Sequence, residues 1–167
     1  FTAFYDGLLA PLRTRPHVHF LEVGVWFGKS LAMWSDYFDD TSAGGTATIH
    51  GVDIHLKRFN EHRTELSEQG AFRRNTVCTY EYDTSSDAFG RFVADTLPSL
   101  DVVLDDGCHT PASQWGCFRH LWPKVRGGGT YIVEDIESAG TFFEMMSDPS
   151  SGLGALIAAV ANENALT

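Results

Sequence analysis

Apolar positions gather in five short runs rich in β-branched residues, each ending in glycine or an acid or just beyond one: His17–Gly24, Ala47–Ile54, Thr76–Asp83, Leu100–Gly107 and Gly129–Ile136. Stretches such as Val102-Val103-Leu104 and Tyr131-Ile132-Val133 lack polar alternation, which suits strands covered on both faces. The intervening segments 29–38, 57–69, 86–96 and 112–125 are long enough for helices, and 4–12 reads as an introductory helix. Gly44-Gly45, Pro98 and Gly127-Gly128-Gly129 punctuate the turns, the last as the turn into the fifth strand. Alternation of this kind predicts an α/β fold with a parallel sheet. From Thr141 onward a Pro-Ser-Gly break is followed by a small apolar helix, and no closing strands are visible.

Composition narrows the picture. A chain of 167 residues, 43% hydrophobic and 13% aromatic, supports one core and one domain. Twelve basic against 22 acidic side chains give a charge of -10, which repels a phosphate backbone and argues against nucleic acid. No apolar run approaches the roughly 20 residues that cross a bilayer. Cys78, Cys108 and Cys117 are odd in number and form no CxxC pair, so a reducing, cytoplasmic setting is expected rather than a disulfide framework. The first residue is not Met, and a longer parent protein is expected. Oligomeric state is left open, with a homo-oligomer among the alternatives.

Candidate chemistry sits at the ends of the runs. Glu22-x-Gly24-x-x-x-Gly28 follows the first, where glycine permits a tight strand-to-helix turn and close approach of a ligand. Asp53, closing the second, is placed to accept from ribose hydroxyls, and Asp83, closing the third, to accept from an adenine amine or to serve its own turn. A dinucleotide cradle wants G-x-G-x-x-G, but bulky Trp26 occupies the middle glycine position. S-adenosylmethionine carries no phosphate, and Glu22 suits its cationic methionyl end.

These motifs, Phe20-Leu21-Glu22-Val23-Gly24 through Ser30-Leu31 with Gly51-Val52-Asp53-Ile54, resemble class I S-adenosylmethionine-dependent methyltransferases. Further on, Asp105-Asp106-Gly107-Cys108-His109 with Gln114, then Leu121-Trp122-Pro123 and Tyr131-Ile132-Val133-Glu134-Asp135, resemble the metal-dependent macrolide-sugar O-methyltransferases of the mycinamicin and tylosin type. Cys108 stands where that family usually has Ser, and Ser113 where a second His is common. The resemblance implies a Rossmann-like sheet of order 3-2-1-4-5, with Glu22, Gly24, Gly28, Ser30, Asp53, Asp83 and Asp105 in the cofactor set. Alternation along the fourth strand nevertheless points Asp105 to the face opposite Asp106, where a structural role is expected. The resemblance further implies Mg²⁺ held by Asp106, Glu134 and Asp135, His109 as general base, and a sugar or polyol hydroxyl as acceptor. Convergence of three acids at neighbouring strand ends independently calls for a hard cation. A metal-independent methyltransferase and a non-catalytic binding domain of the same fold remain alternatives.

Overall fold

The computed structural model describes residues 2–39, 45–136, 140, 141 and 144. Helix α1 (Thr2–Leu9) and a 3-10 turn (Ala10–Thr14) lead into β1 (His17–Val23). There follow α2 (Lys29–Tyr37), β2 (Thr46–Asp53), α3 (Lys57–Glu68), β3 (Thr76–Glu81), α4 (Asp87–Thr96), β4 (Leu100–Asp105), α5 (Pro111–Leu121), a 3-10 turn (Trp122–Lys124) and β5 (Val125–Val133). The sheet order is β3-β2-β1-β4-β5, and every pair is parallel. The expected fold class and strand order are thus present. The expected terminal apolar helix lies outside the described residues.

Period-two alternation sorts each strand between two cores. Val18, Phe20, Ile49, Val102 and Leu104 face α1, α2 and α3, where Leu9, Leu31, Trp34 and Phe59 meet them. Leu21, Val23, Val52 and Val103 face α4 and α5, where Phe89, Val93, Cys117 and Leu121 meet them. Burial on both sides explains why these strands read as continuous apolar runs. Capping is explicit: the Ser86 hydroxyl accepts from the Phe89 N–H at the start of α4, and the Thr110 hydroxyl from the Ser113 N–H before Pro111 opens α5.

Several boundaries differ from expectation, among them the helix expected over 112–125, which stops at Leu121 before a 3-10 turn at Pro123. Pro11 ends the first helix early and turns the chain through a 3-10 segment. The glycine triplet lies inside β5, which begins at Val125 rather than Gly129. The register slips between Leu100 and Val102 there, and Gly128 has φ +75°, so the triplet supplies a bulge where a side chain at Gly129 would strike the Asp101 carbonyl.

Candidate functional site

All five strands point their carboxyl ends the same way, and residues at or just beyond each of those ends line one cleft of about 950 Å³. The ladder runs on past the strands: the Gly24 N–H donates to the Val52 carbonyl, Asp106 N–H to Val23, Tyr82 N–H to Asp53 and Glu134 N–H to Asp105. These bonds fix the mouths of four loops relative to one another. Gly24 has φ +91° and is pressed against the Asp106 carbonyl, while Gly28, at φ +79°, is pressed against the Phe59 ring. Neither position has room for a side chain, so both glycines are required by packing and backbone conformation.

Asp53 lines the cleft as expected, and its carboxylate also holds the glycine loop. Oδ2 accepts from the Val25 and Trp26 N–H groups at 2.8 and 2.9 Å, and Oδ1 from the His55 N–H at 3.0 Å. Asp83 also lines the cleft, with Oδ1 accepting from the Ser85 N–H and hydroxyl, which hold its carboxyl below the usual range. Its turn role and its cleft position therefore coexist. Glu22 is fully buried and accepts from the Ser30 hydroxyl at 3.0 Å through Oε2. Burial pushes its carboxyl up to about 8, the Ser30 hydroxyl opposes the rise and Asp106 adds to it. Asp105 lies elsewhere: it is buried on the α5 side of β4, within reach of the Tyr131 hydroxyl, and does not line the cleft. Desolvation raises it to about 6.

At the ends of β4 and β5, Asp106, His109 and Asp135 each present a ligand atom within 4.8 Å of the other two. Burial raises the Asp106 carboxyl, with His109 opposing and Asp135 reinforcing the rise. Such a cluster gains from a cation between its oxygens. Nδ1 of His109 is buried without a hydrogen-bond partner among the described residues. Glu134 is not gathered with this trio. It accepts from the Tyr5 hydroxyl and borders a neighbouring cavity of about 600 Å³ beneath α1 and α2, which Asp106 and Ser30 also line. Burial, then Asp135, raises its carboxyl.

Gln114, Trp26 and Asp135, all singled out in the sequence, take on a geometry that no local pattern indicated. Gln114 is buried and donates to the Glu134 carbonyl at 3.0 Å, pinning the turn that presents Asp135. Trp26, at φ +47°, and Asp135, at φ +49°, are non-glycine residues in the left-handed region, and both line the cleft. Strain of about 1–3 kcal/mol at such positions is a recurrent mark of functional loops. Trp26 is 61% exposed with the Arg58 guanidinium over its ring, and Ile54, which also lines the cleft, is 56% exposed.

A family described as a methyltransferase domain matches residues 21–136. The chain is 32% identical over 146 residues to the 8-demethyl-8-alpha-L-rhamnosyl tetracenomycin-C 2'-O-methyltransferase of Streptomyces olivaceus, covering 83% of this chain and 34% of that protein. It is likewise 32% identical over 146 residues to the mycinamicin VI 2''-O-methyltransferase of Micromonospora griseorubida, covering 83% and 32%. The chain thus spans about a third of the length of the curated relatives it matches. Among solved structures, the MycE methyltransferase of the mycinamycin biosynthetic pathway, in complex with Mg and SAH, aligns with a TM-score of 0.65 at 29% identity, over 96% of this chain and 42% of that one. With the family match spanning the glycine loop, Asp53, Asp83 and the Asp106–Asp135 cluster, this chain belongs to the methyltransferase-domain family.

Proposed function

We propose that this domain is the catalytic core of an S-adenosylmethionine-dependent, Mg²⁺-dependent O-methyltransferase whose acceptor is a sugar or polyol hydroxyl on a small molecule. The observation that carries the reading is the meeting of Asp106, His109 and Asp135 at the edge of a cleft whose other wall is the Asp53-held glycine loop. Relatives named as sugar O-methyltransferases, and a similar structure holding Mg and SAH, support the same chemistry.

When bound, the sulfonium cofactor supplies an electrophilic methyl group, and the cation lowers the pKa of a hydroxyl set against it. Asp53 retains acceptor capacity toward ribose hydroxyls beside the loop amides it already holds. Asp83 offers its second carboxylate oxygen at the far end of the cleft. Asp106 and Asp135, with Glu134 released from Tyr5 as the third carboxylate, would hold the cation. Nucleophilicity is then the remaining need, because an alcohol attacks poorly while it keeps its proton. His109 would take that proton from the acceptor hydroxyl, leaving its oxygen as the nucleophile toward the methyl group that the bound cofactor supplies.

The test uses the full-length protein with a glycosylated acceptor. His109→Ala is expected to lower turnover about 10²–10⁴-fold with cofactor affinity kept. Asp106→Asn is expected to raise the Mg²⁺ concentration needed for half-maximal rate. Undiminished turnover after exhaustive chelation would overturn the metal role.

A further inference from the structure

A second group of imidazoles lies on the sheet face that carries α4 and α5, with His17 and His19 in the first half of β1 and His50 in the middle of β2. His17 and His19 occupy alternate positions of β1 and so share that face, and His50 joins them from β2, diagonal to His19. His19 Nδ1 lies 3.2 Å from His50 Nε2, and the two rings stack at 5.5 Å. The His17 ring packs edge-on to His19 at 4.7 Å, its nitrogens turned to the Thr46 and Thr48 hydroxyls at 2.7 and 3.1 Å. His50 Nδ1 approaches the Tyr80 hydroxyl at 3.3 Å. His17 is exposed, His19 half-buried and His50 buried, so the group runs from solvent into the sheet. Arg15 and Arg126 are both paired with Asp101, whose carboxylate also accepts from the His19 N–H.

We infer that His19 Nδ1 and His50 Nε2 form the seat of a borderline divalent cation such as Zn²⁺ or Cu²⁺, with His17 as the outer third ligand. The spacing carries the inference. Two imidazole nitrogens bound to one such ion at about 2.0–2.1 Å, and lying 3.2 Å apart, subtend about 100° at the metal, close to tetrahedral. Burial, followed by the neighbouring imidazoles, lowers the pKa of both rings, so the neutral, ligating form prevails near neutrality. The Tyr80 hydroxyl on the far nitrogen of His50 can fix its tautomer, as outer partners of metal-bound imidazoles do. Nitrogen donors favour Cu²⁺ and Zn²⁺ and disfavour Mg²⁺, so this seat and the carboxylate cluster would select different ions. An ion here would tie β1 to β2.

The test removes the cleft cluster first, in an Asp106→Asn, Asp135→Asn background, and titrates with Zn²⁺ by calorimetry and with Cu²⁺ by electron paramagnetic resonance. One ion per chain is expected, with nitrogen hyperfine coupling on Cu²⁺. His19→Gln, at a half-exposed position, should weaken Zn²⁺ at least tenfold while leaving the melting temperature of the metal-free protein nearly unchanged. His17→Gln should weaken it less, since its nitrogens must first leave Thr46 and Thr48. Unchanged Zn²⁺ affinity in His19→Gln, or a larger loss in His17→Gln than in His19→Gln, would overturn the seat.

Discussion

Asp53 does two jobs with one carboxylate, and its substitution separates them. Asp53→Ala removes three charge-assisted bonds to backbone N–H groups along with any bond to a ribose. Affinity for S-adenosylhomocysteine should fall about tenfold or more, with faster amide hydrogen exchange at Val25 and Trp26 in the ligand-free protein. Asp83→Ala should cost less affinity, because its bonds to Ser85 are local to an exposed turn. Calorimetry with exchange measurements checks both, and normal exchange in Asp53→Ala would dismiss the loop role. Glu22 gives a pH prediction. Its carboxyl rises from an ordinary value near 4.5 to about 8 in the fold, so the folded state holds a proton that the unfolded chain has released across that interval. The contribution is full below about pH 4.5 and is lost as pH rises toward 8. Glu22→Gln keeps an acceptor for Ser30 without the titration. Its stability relative to the parent should therefore improve steadily between pH 5 and pH 8 in urea unfolding, and a pH-independent difference would refute the buried, protonated Glu22.

At the scale of elements, the turn after β5 depends on a helix. Gln114, inside α5, donates to the Glu134 carbonyl, and a side chain of the same size without a donor would leave that carbonyl unpaired. Gln114→Leu is expected to cost about 1–3 kcal/mol and to weaken Mg²⁺ binding, because Asp135 then loses the fixed turn that presents it. Gln114→Glu should be worse, since an ionised carboxylate would face a carbonyl and the neighbouring acids. Chemical denaturation and Mg²⁺ titration on the same variants test this, and loss of stability with intact Mg²⁺ affinity would confine Gln114 to packing. Elements were legible in the sequence where periodicity and apolar runs were strong, as in β1, β2 and β4. They were not where special backbone geometry took over. The Gly127–Gly129 triplet reads as a turn by composition, yet the neighbouring strand's carbonyl needs an empty position there, and the strand runs through it. The acids Asp53, Asp83, Asp106 and Asp135 were legible because strand ends must converge in a parallel sheet. Two features were not: the rotation of Glu134 toward Tyr5, 129 residues away, and the reach of Gln114. Both depend on side-chain direction between elements that no local pattern encodes.

The whole molecule is organised about β1, which pairs with β2 on one edge and with β4 on the other, Phe20 opposite Val102. Those partners lie about eighty residues apart in the chain, so the central pairing closes a long loop before its contacts can offset the entropy. Refolding should accordingly fall in the millisecond-to-second range. Val102→Ala, at a fully buried central position, should slow refolding if that pairing belongs to the transition state and should otherwise speed unfolding alone. Stopped-flow chevrons distinguish the two. The same separation has a consequence during synthesis. At about 5–20 residues per second, β1 leaves the ribosome roughly 4–16 s before β4. Throughout that interval the inner edge of the future central strand, with Phe20 and Leu21 on its two faces, is an open template for any other strand. Nascent chains stalled after β3 should therefore be captured by holdase chaperones and digested readily by protease, and chains long enough to expose β4 should escape both.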